Sequence, residues 1–177
     1  PARIFSVWTA NELAAIGIYE ITFDDSKKKD EKYYINTNQT FTYDADAGTV
    51  TATYGNATAK PHADVLFSAQ DETDGLGTEG ELNARGLKYN FIKTVKAQAE
   101  GLLNQTDWYI TRKAEKNTAI PSAITTWRDG IRTKQAEMET AITNASDTPA
   151  LETLYTYTEQ EDGSVTRPLG ELPRLES

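Results

Sequence analysis

"LLNQTDWYITRKAEKNTAIPSAITTWRDGIRTKQ", residues 102–135, holds two of the chain's three tryptophans, and basic residues follow each: Arg112 and Lys113 after Trp108, Arg128 directly after Trp127. Its reading decides the second half of the fold. Ser122 is a residue type that caps helices. Ile124, Trp127, Ile131 and Met138 then fall at a, d, a and a of a heptad, with Ala141 at the last d and Lys134 at the d between. Gly130 weakens the middle. Upstream, Leu87, Phe91, Val95, Ala99 and Leu102–Leu103 recur at helical spacing. Two amphipathic helices, about 82–104 and 122–142, are therefore expected to pack as an antiparallel hairpin. The short heptad stripe also allows packing in a parallel oligomer. Residues 107–112 read as either a short strand or a helical turn.

Working outward, "ASDTPALETLY" predicts a third, short helix, capped by Asp147 or Thr148 with Pro149 near its start. Beyond it, 156–177 reads as an extended tail kept open by prolines, with a small hairpin around Asp162–Gly163. Toward the N-terminus, Thr9 stands three residues before Glu12, a capping box for a helix over 9–16, and Gly17 can close it. "IYEITF" (18–23) alternates as a strand, "YYIN" (33–36) reads as another, and "QTFTYDADAGTVTATYGN" reads as a hairpin. "SAQDETDGLGTEGE" is an acidic connector. The expected fold is α+β: a β-rich module over 1–80 with a short capped helix, a helical hairpin module over 81–155, and the tail.

Composition excludes several chemistries. The 177 residues include no cysteine and one histidine, His62, so disulfides, thiolate catalysis and a Cys- or multi-His metal site are out. A net charge of −9 opposes binding to phosphate backbones and to anionic lipid. No apolar run reaches the roughly 18 residues of a membrane span, and "PARIFSVW" lacks a secretory signal, so synthesis in the cytoplasm is expected. Four N-x-S/T triplets, from Asn38, Asn56, Asn104 and Asn144, read as coincidence in a Thr-rich chain. "GLGTEG" (75–80) matches G-x-G-x-x-G literally, but an acidic run precedes it instead of a strand, so no dinucleotide is expected. "DADAG" and "DETDG" supply too few carboxylates for a calcium loop. No serine or carboxylate constellation surrounds His62. No catalytic residue, cofactor or metal is expected.

The candidates that remain are contact residues. Trp8, Trp108 and Trp127 either fill a core short of large aliphatics or anchor an interface. Arg128 and Arg132, one turn apart beside the stripe of Trp127 and Ile131, are placed to clamp carboxylates of the first helix or of a neighbouring subunit. Phe91 and Met138 complete the set. The hydrophobic fraction of 38% is modest, which suits a homo-oligomer, with a trimer favoured.

The order "LLNQTDW", a connector with "IP", then "WRDGIR" resembles a module of the family known as phage tail assembly chaperone proteins. That module also occurs near the ends of tail-fibre and baseplate-associated proteins of tailed bacteriophages, marine and cyanobacterial ones especially. The matching positions are Leu102, Leu103, Thr106, Asp107, Trp108, Pro121, Trp127, Arg128, Ile131 and Arg132, and "DTPALETL" is similar as well. The resemblance spans about 87–155. Trp127 stands where the family usually has Tyr, and "ITRKAEKNTA" replaces a commoner acidic connector. "VWTANELAAIGIYEI" is more distantly similar to the opening of phage tail accessory proteins. The resemblance implies a non-enzymatic structural component of the virion, at or near the tail: a tail fibre, a fibre adaptor or a baseplate-peripheral protein whose partners are other tail proteins. Its alternatives are a fibre assembly chaperone absent from the mature particle and a capsid decoration protein.

Overall fold

The computed structural model describes residues 7–175, and the chain divides into two compact units, Pro1–Ala59 and Lys60–Ser177. The architecture is mixed α and β, strands dominating the first unit and helices the second.

In the N-terminal unit, Thr9 caps helix α1 (Ala10–Ala14). Its hydroxyl accepts from the Glu12 N–H at 3.3 Å, and the Glu12 carboxylate accepts from the Thr9 N–H at 2.9 Å. Gly17 follows at φ +80, a conformation open to glycine without steric cost. Strands β1 (Ile21–Asp24), β3 (Thr40–Asp44) and β4 (Thr49–Thr53) form a three-stranded sheet in the order β1-β4-β3, with β4 parallel to β1 and antiparallel to β3. β2 (Tyr34–Ile35) pairs with β5 (Thr58–Ala59). The register of the larger sheet sorts its side chains by face, because paired residues share a side. Ile21, Val50 and Tyr43 form one row and Phe23, Ala52 and Phe41 the next, all on one face; Thr22, Thr51 and Thr42 lie on the other.

The C-terminal unit begins earlier than the composition suggests, at Lys60 rather than near 80. The cause lies at the start of helix α3 (Leu87–Asn104). Its N-cap is Gly86, which has no side chain to offer, so the orphan N–H groups of the first turn need other acceptors. The 61–64 segment supplies them: Leu87 donates to the Pro61 carbonyl at 3.0 Å, Lys88 to that of His62 at 3.0 Å, and Gly86 to Asp64 Oδ1 at 2.8 Å. A Cβ on Gly86 would collide with the Ala63 carbonyl, so the close approach needs glycine. Strands β6 (Val65–Leu66) and β7 (Leu82–Ala84) pair across the intervening segment. The acidic connector is not structureless: Ser68 and Asp71 form a capping box for helix α2 (Ala69–Thr73).

Helix α4 (Asp107–Lys116) separates α3 from α5 (Ser122–Asn144), so the two long helices are joined through a third instead of a simple hairpin loop. The 107–112 ambiguity thus resolves as helix. Ser122 is the first residue of α5, and Pro121 occupies the cap. α3 and α5 run antiparallel: Lys88 Nζ donates to the Thr143 carbonyl at 2.8 Å near one end, Lys96 pairs with Glu139 at 3.3 Å, and Ala99 packs with Trp127 and Ile131 toward the other. The buried residues of α5 are Ile124, Trp127, Arg128, Ile131, Met138 and Ile142. Ile142 replaces the expected Ala141, so the stripe follows the 3.6-residue period of a globular helix and drifts off a heptad seam.

Helix α6 (Thr148–Tyr155) is capped by Asp147, which accepts from the Ala150 N–H at 2.8 Å, and Thr148 reaches the Lys60 carbonyl at 2.7 Å. The tail is not free. It forms the hairpin β8 (Thr158–Glu159) and β9 (Val165–Thr166), then lays buried Leu169 and half-buried Leu172 onto the helices. Two leucines spaced three apart among prolines gain apolar burial that an extended tail would forgo.

Candidate functional site

Residues of the opening stretch converge at the corner between α3 and α4. Arg128 Nη1 donates to the Leu103 carbonyl at 2.7 Å and to the Thr106 hydroxyl at 2.7 Å, while Nη2 pairs with Asp107 Oδ1 at 2.8 Å. Thr106 itself donates to the Leu103 carbonyl at 3.1 Å. The Leu103 carbonyl, in the last turn of α3, also accepts from the Thr106 N–H at 3.0 Å, and Asp107 opens α4, where a carboxylate suits the positive end of the helix dipole. The side chain of Arg128 is only 7% exposed, so the planar fork with its three acceptors is what makes its burial tolerable. Beside it Trp127 is buried, and its Nε1–H donates to the Pro173 carbonyl at 3.0 Å.

The candidate residues therefore separate into three settings. Trp127 and Ile131 join Ala99 in the core, with Leu102, Leu103 and Leu172 against them. Phe91 is buried farther along α3, its ring 4.7 Å from that of Tyr155 and tilted 46°. Met138 is buried and backs a cleft of about 330 Å³ whose rim carries the Arg167–Glu171 pair at 2.8 Å. Trp108 lies at the surface, 50% exposed. Its ring sits 3.8 Å from that of Tyr109, and the Arg112 guanidinium lies 4.7 Å from the Trp108 ring, a cation–π stack. Arg132 does not clamp the first helix. It is exposed and bonds Asp129 of its own helix at 3.0 Å. Trp8 is half-buried just before α1, in the N-terminal unit, and so belongs to a different compact unit from the other two tryptophans.

Electrostatics follow the same local logic. The Gly86 N–H, and then Arg85 at 2.6 Å, hold the Asp64 carboxyl below the usual range. Burial pushes the Tyr155 phenol up, against the opposing charge of Arg167. Among the described residues no group of His, Cys, Asp or Glu is placed to hold a metal ion, and no helix is long and apolar enough to cross a membrane.

Sequence reasoning missed the partners from the tail, Leu169, Leu172 and Pro173, and the capping role of Asp64. The leucine spacing in "RPLGELPRLES" was the available signal for the first. For the second there was none, since Asp64 and Gly86 stand far apart in the chain.

The sheet of the N-terminal unit is the other candidate surface. Phe23 is 66% and Phe41 60% exposed, and Ile21 and Tyr43 are exposed beside them, all on its apolar face. Tyr19 lies against Tyr43 with ring centroids 4.6 Å apart. Comparison with known protein families, with curated proteins and with solved structures finds no match.

Proposed function

We propose that the chain is a non-enzymatic structural protein of a tailed bacteriophage virion, at or near the tail, as a tail fibre, fibre adaptor or baseplate-peripheral protein. It is made in the host cytoplasm and works by contact with other tail proteins and with copies of itself. The observation that carries the contact reading is the one-sided sheet: Ile21, Phe23, Phe41 and Tyr43 share a face and remain exposed. A sheet that is apolar on one face is most stable with that face packed against another element, and a neighbouring protein supplies one.

The placement in a tail rests on the resemblance. Its support is that Leu103, Thr106, Asp107 and Arg128, spread through the shared module, act together at one corner. A module of that kind supports the Trp108–Tyr109–Arg112 stack, of which the Trp108 ring is the exposed member. Tryptophan, tyrosine and arginine dominate contact hot spots.

Quantitative mass spectrometry of purified particles tests the placement. A fixed stoichiometric copy number is expected. Absence from the particle, with presence in the infected cell, would move the chain to the assembly chaperones; labelling over the capsid would make it a decoration protein.

A further inference from the structure

The outer edge of β3 is unprotected among the described residues. β3 lies at the edge of its sheet, and all five of its residues, Thr40 to Asp44, are exposed. Proteins ordinarily blunt such an edge with lysine, proline or a bulge. β3 has none of these: its sequence is TFTYD and its register with β4 is unbroken. The opposite edge differs, since β1 runs into Asp24–Asp25 and then Lys27 to Lys29.

We propose that β3 pairs antiparallel with β3 of a second copy about a two-fold axis through Thr42, joining two sheets into one. Three features of the strand select that register. Phe41 falls opposite the second copy's Tyr43 and Tyr43 opposite its Phe41, giving two cross-strand aromatic pairs on the face that is already apolar. Asp44 falls opposite Thr40, not opposite another Asp44, so no like charges meet. Its carboxylate is in any case occupied by the N–H groups of Asp46 and Ala47 at 2.9 and 3.0 Å. A slip of one residue would set Phe41 against Thr42 and turn the two apolar faces to opposite sides. Identical patches meeting about a two-fold axis make an isologous contact, which gives a dimer or an even multiple in place of the trimer expected from composition.

This inference deepens the contact reading above and rests on it, but not on the placement in a particle. Wild-type chain is expected to sediment and to appear in native mass spectrometry as a dimer or an even multiple at micromolar concentration. Thr42→Lys and Thr42→Glu each place like charges across the axis, and each is expected to weaken association roughly tenfold or more. Mixing the two variants restores a one-to-one heterodimer. Thr22→Lys, on the same polar face but on β1, leaves association unchanged. Because the chain has no cysteine, Thr42→Cys provides a second readout that does not depend on how well the charged variants fold. Oxidation gives a covalent dimer on a non-reducing gel, and Thr22→Cys does not. A monomeric or trimeric wild type, or association indifferent to charge at Thr42 together with no Thr42→Cys dimer, overturns the proposal. Absence of the protein from purified particles would instead overturn the tail placement and leave the pairing intact.

Discussion

The two compact units are held together by different means. The largest fully buried side chains, Ile131, Met138, Ile142, Leu151, Leu169 and Val95, all lie in the C-terminal unit. Among the described residues the N-terminal unit buries only Tyr33, Tyr34 and Ala52. The first unit depends on ladder hydrogen bonds, turn chemistry and threonine contacts such as Thr22–Thr51 at 3.3 Å. The second depends on apolar burial between helices, locked by one guanidinium at a corner. Burial of apolar area is the dominant favourable term in folding. The C-terminal unit therefore stands as the more stable body, and the N-terminal unit as the one with the thinner core.

Separating the units is the strongest way to break that contrast. A fragment of residues 60–177 is expected to melt cooperatively near the main transition of the whole chain. A fragment of residues 1–59 is expected to show little amide protection in hydrogen exchange. Comparable protection in both would end the comparison. Next in size, Trp127→Ala removes a buried indole from the Ala99–Ile131 cluster and the donor to Pro173. Denaturant unfolding should register a loss of about 3–5 kcal/mol in the C-terminal transition.

Arg128→Met is expected to cost about 1–3 kcal/mol, since the Leu103 carbonyl and Thr106 hydroxyl then lose a donor at a buried corner. Arg128→Lys should recover less than half of that, because an ammonium cannot fork between Leu103, Thr106 and Asp107. Equal stability of the Lys variant and wild type in urea titration would show that charge alone suffices.

Asp64 sharpens the picture through pH. Its folded pKa is depressed, so its contribution is fully present above the unfolded value of about 3.9 and is lost as pH falls through the folded value. Asp64→Asn should therefore be less stable than wild type near neutrality. The gap between them should close at strongly acidic pH, as read by thermal melts across the series. The smallest effect belongs to the exposed sheet face: Phe23→Ser should change unfolding by less than about 0.5 kcal/mol, since Phe23 is mostly exposed already.

Much of this was legible where the signals are local. The Thr9–Glu12 capping box, the Gly17 stop, the alternation through β3 and β4 and the four-residue spacing from Leu87 to Ala99 are written in adjacent residues. The Ser68–Asp71 box was equally local, yet it was submerged in an acidic run that composition alone reads as a connector. The unit boundary was not legible, because it depends on α3 borrowing acceptors from Pro61, His62 and Asp64. Nor was the sorting of the candidates. Trp108 and Trp127 carry the same residue type and similar neighbours, yet one is half-exposed and the other is buried.

By itself the amino-acid order determined the class of the longer periodic segments, the Thr9 and Asp147 caps, and the chemistry that is out of reach without cysteine and with a single histidine. These follow from residue type and from the 2.0 and 3.6 periods, which act over a turn or a strand. Only the tertiary structure decided that Arg128 serves the α3–α4 corner, that the tail seals Trp127, and that, among the described residues, the sheet's apolar face and its β3 edge are exposed. Those outcomes depend on which distant surfaces meet, and burial, unlike a cap or a turn, has no address in the chain.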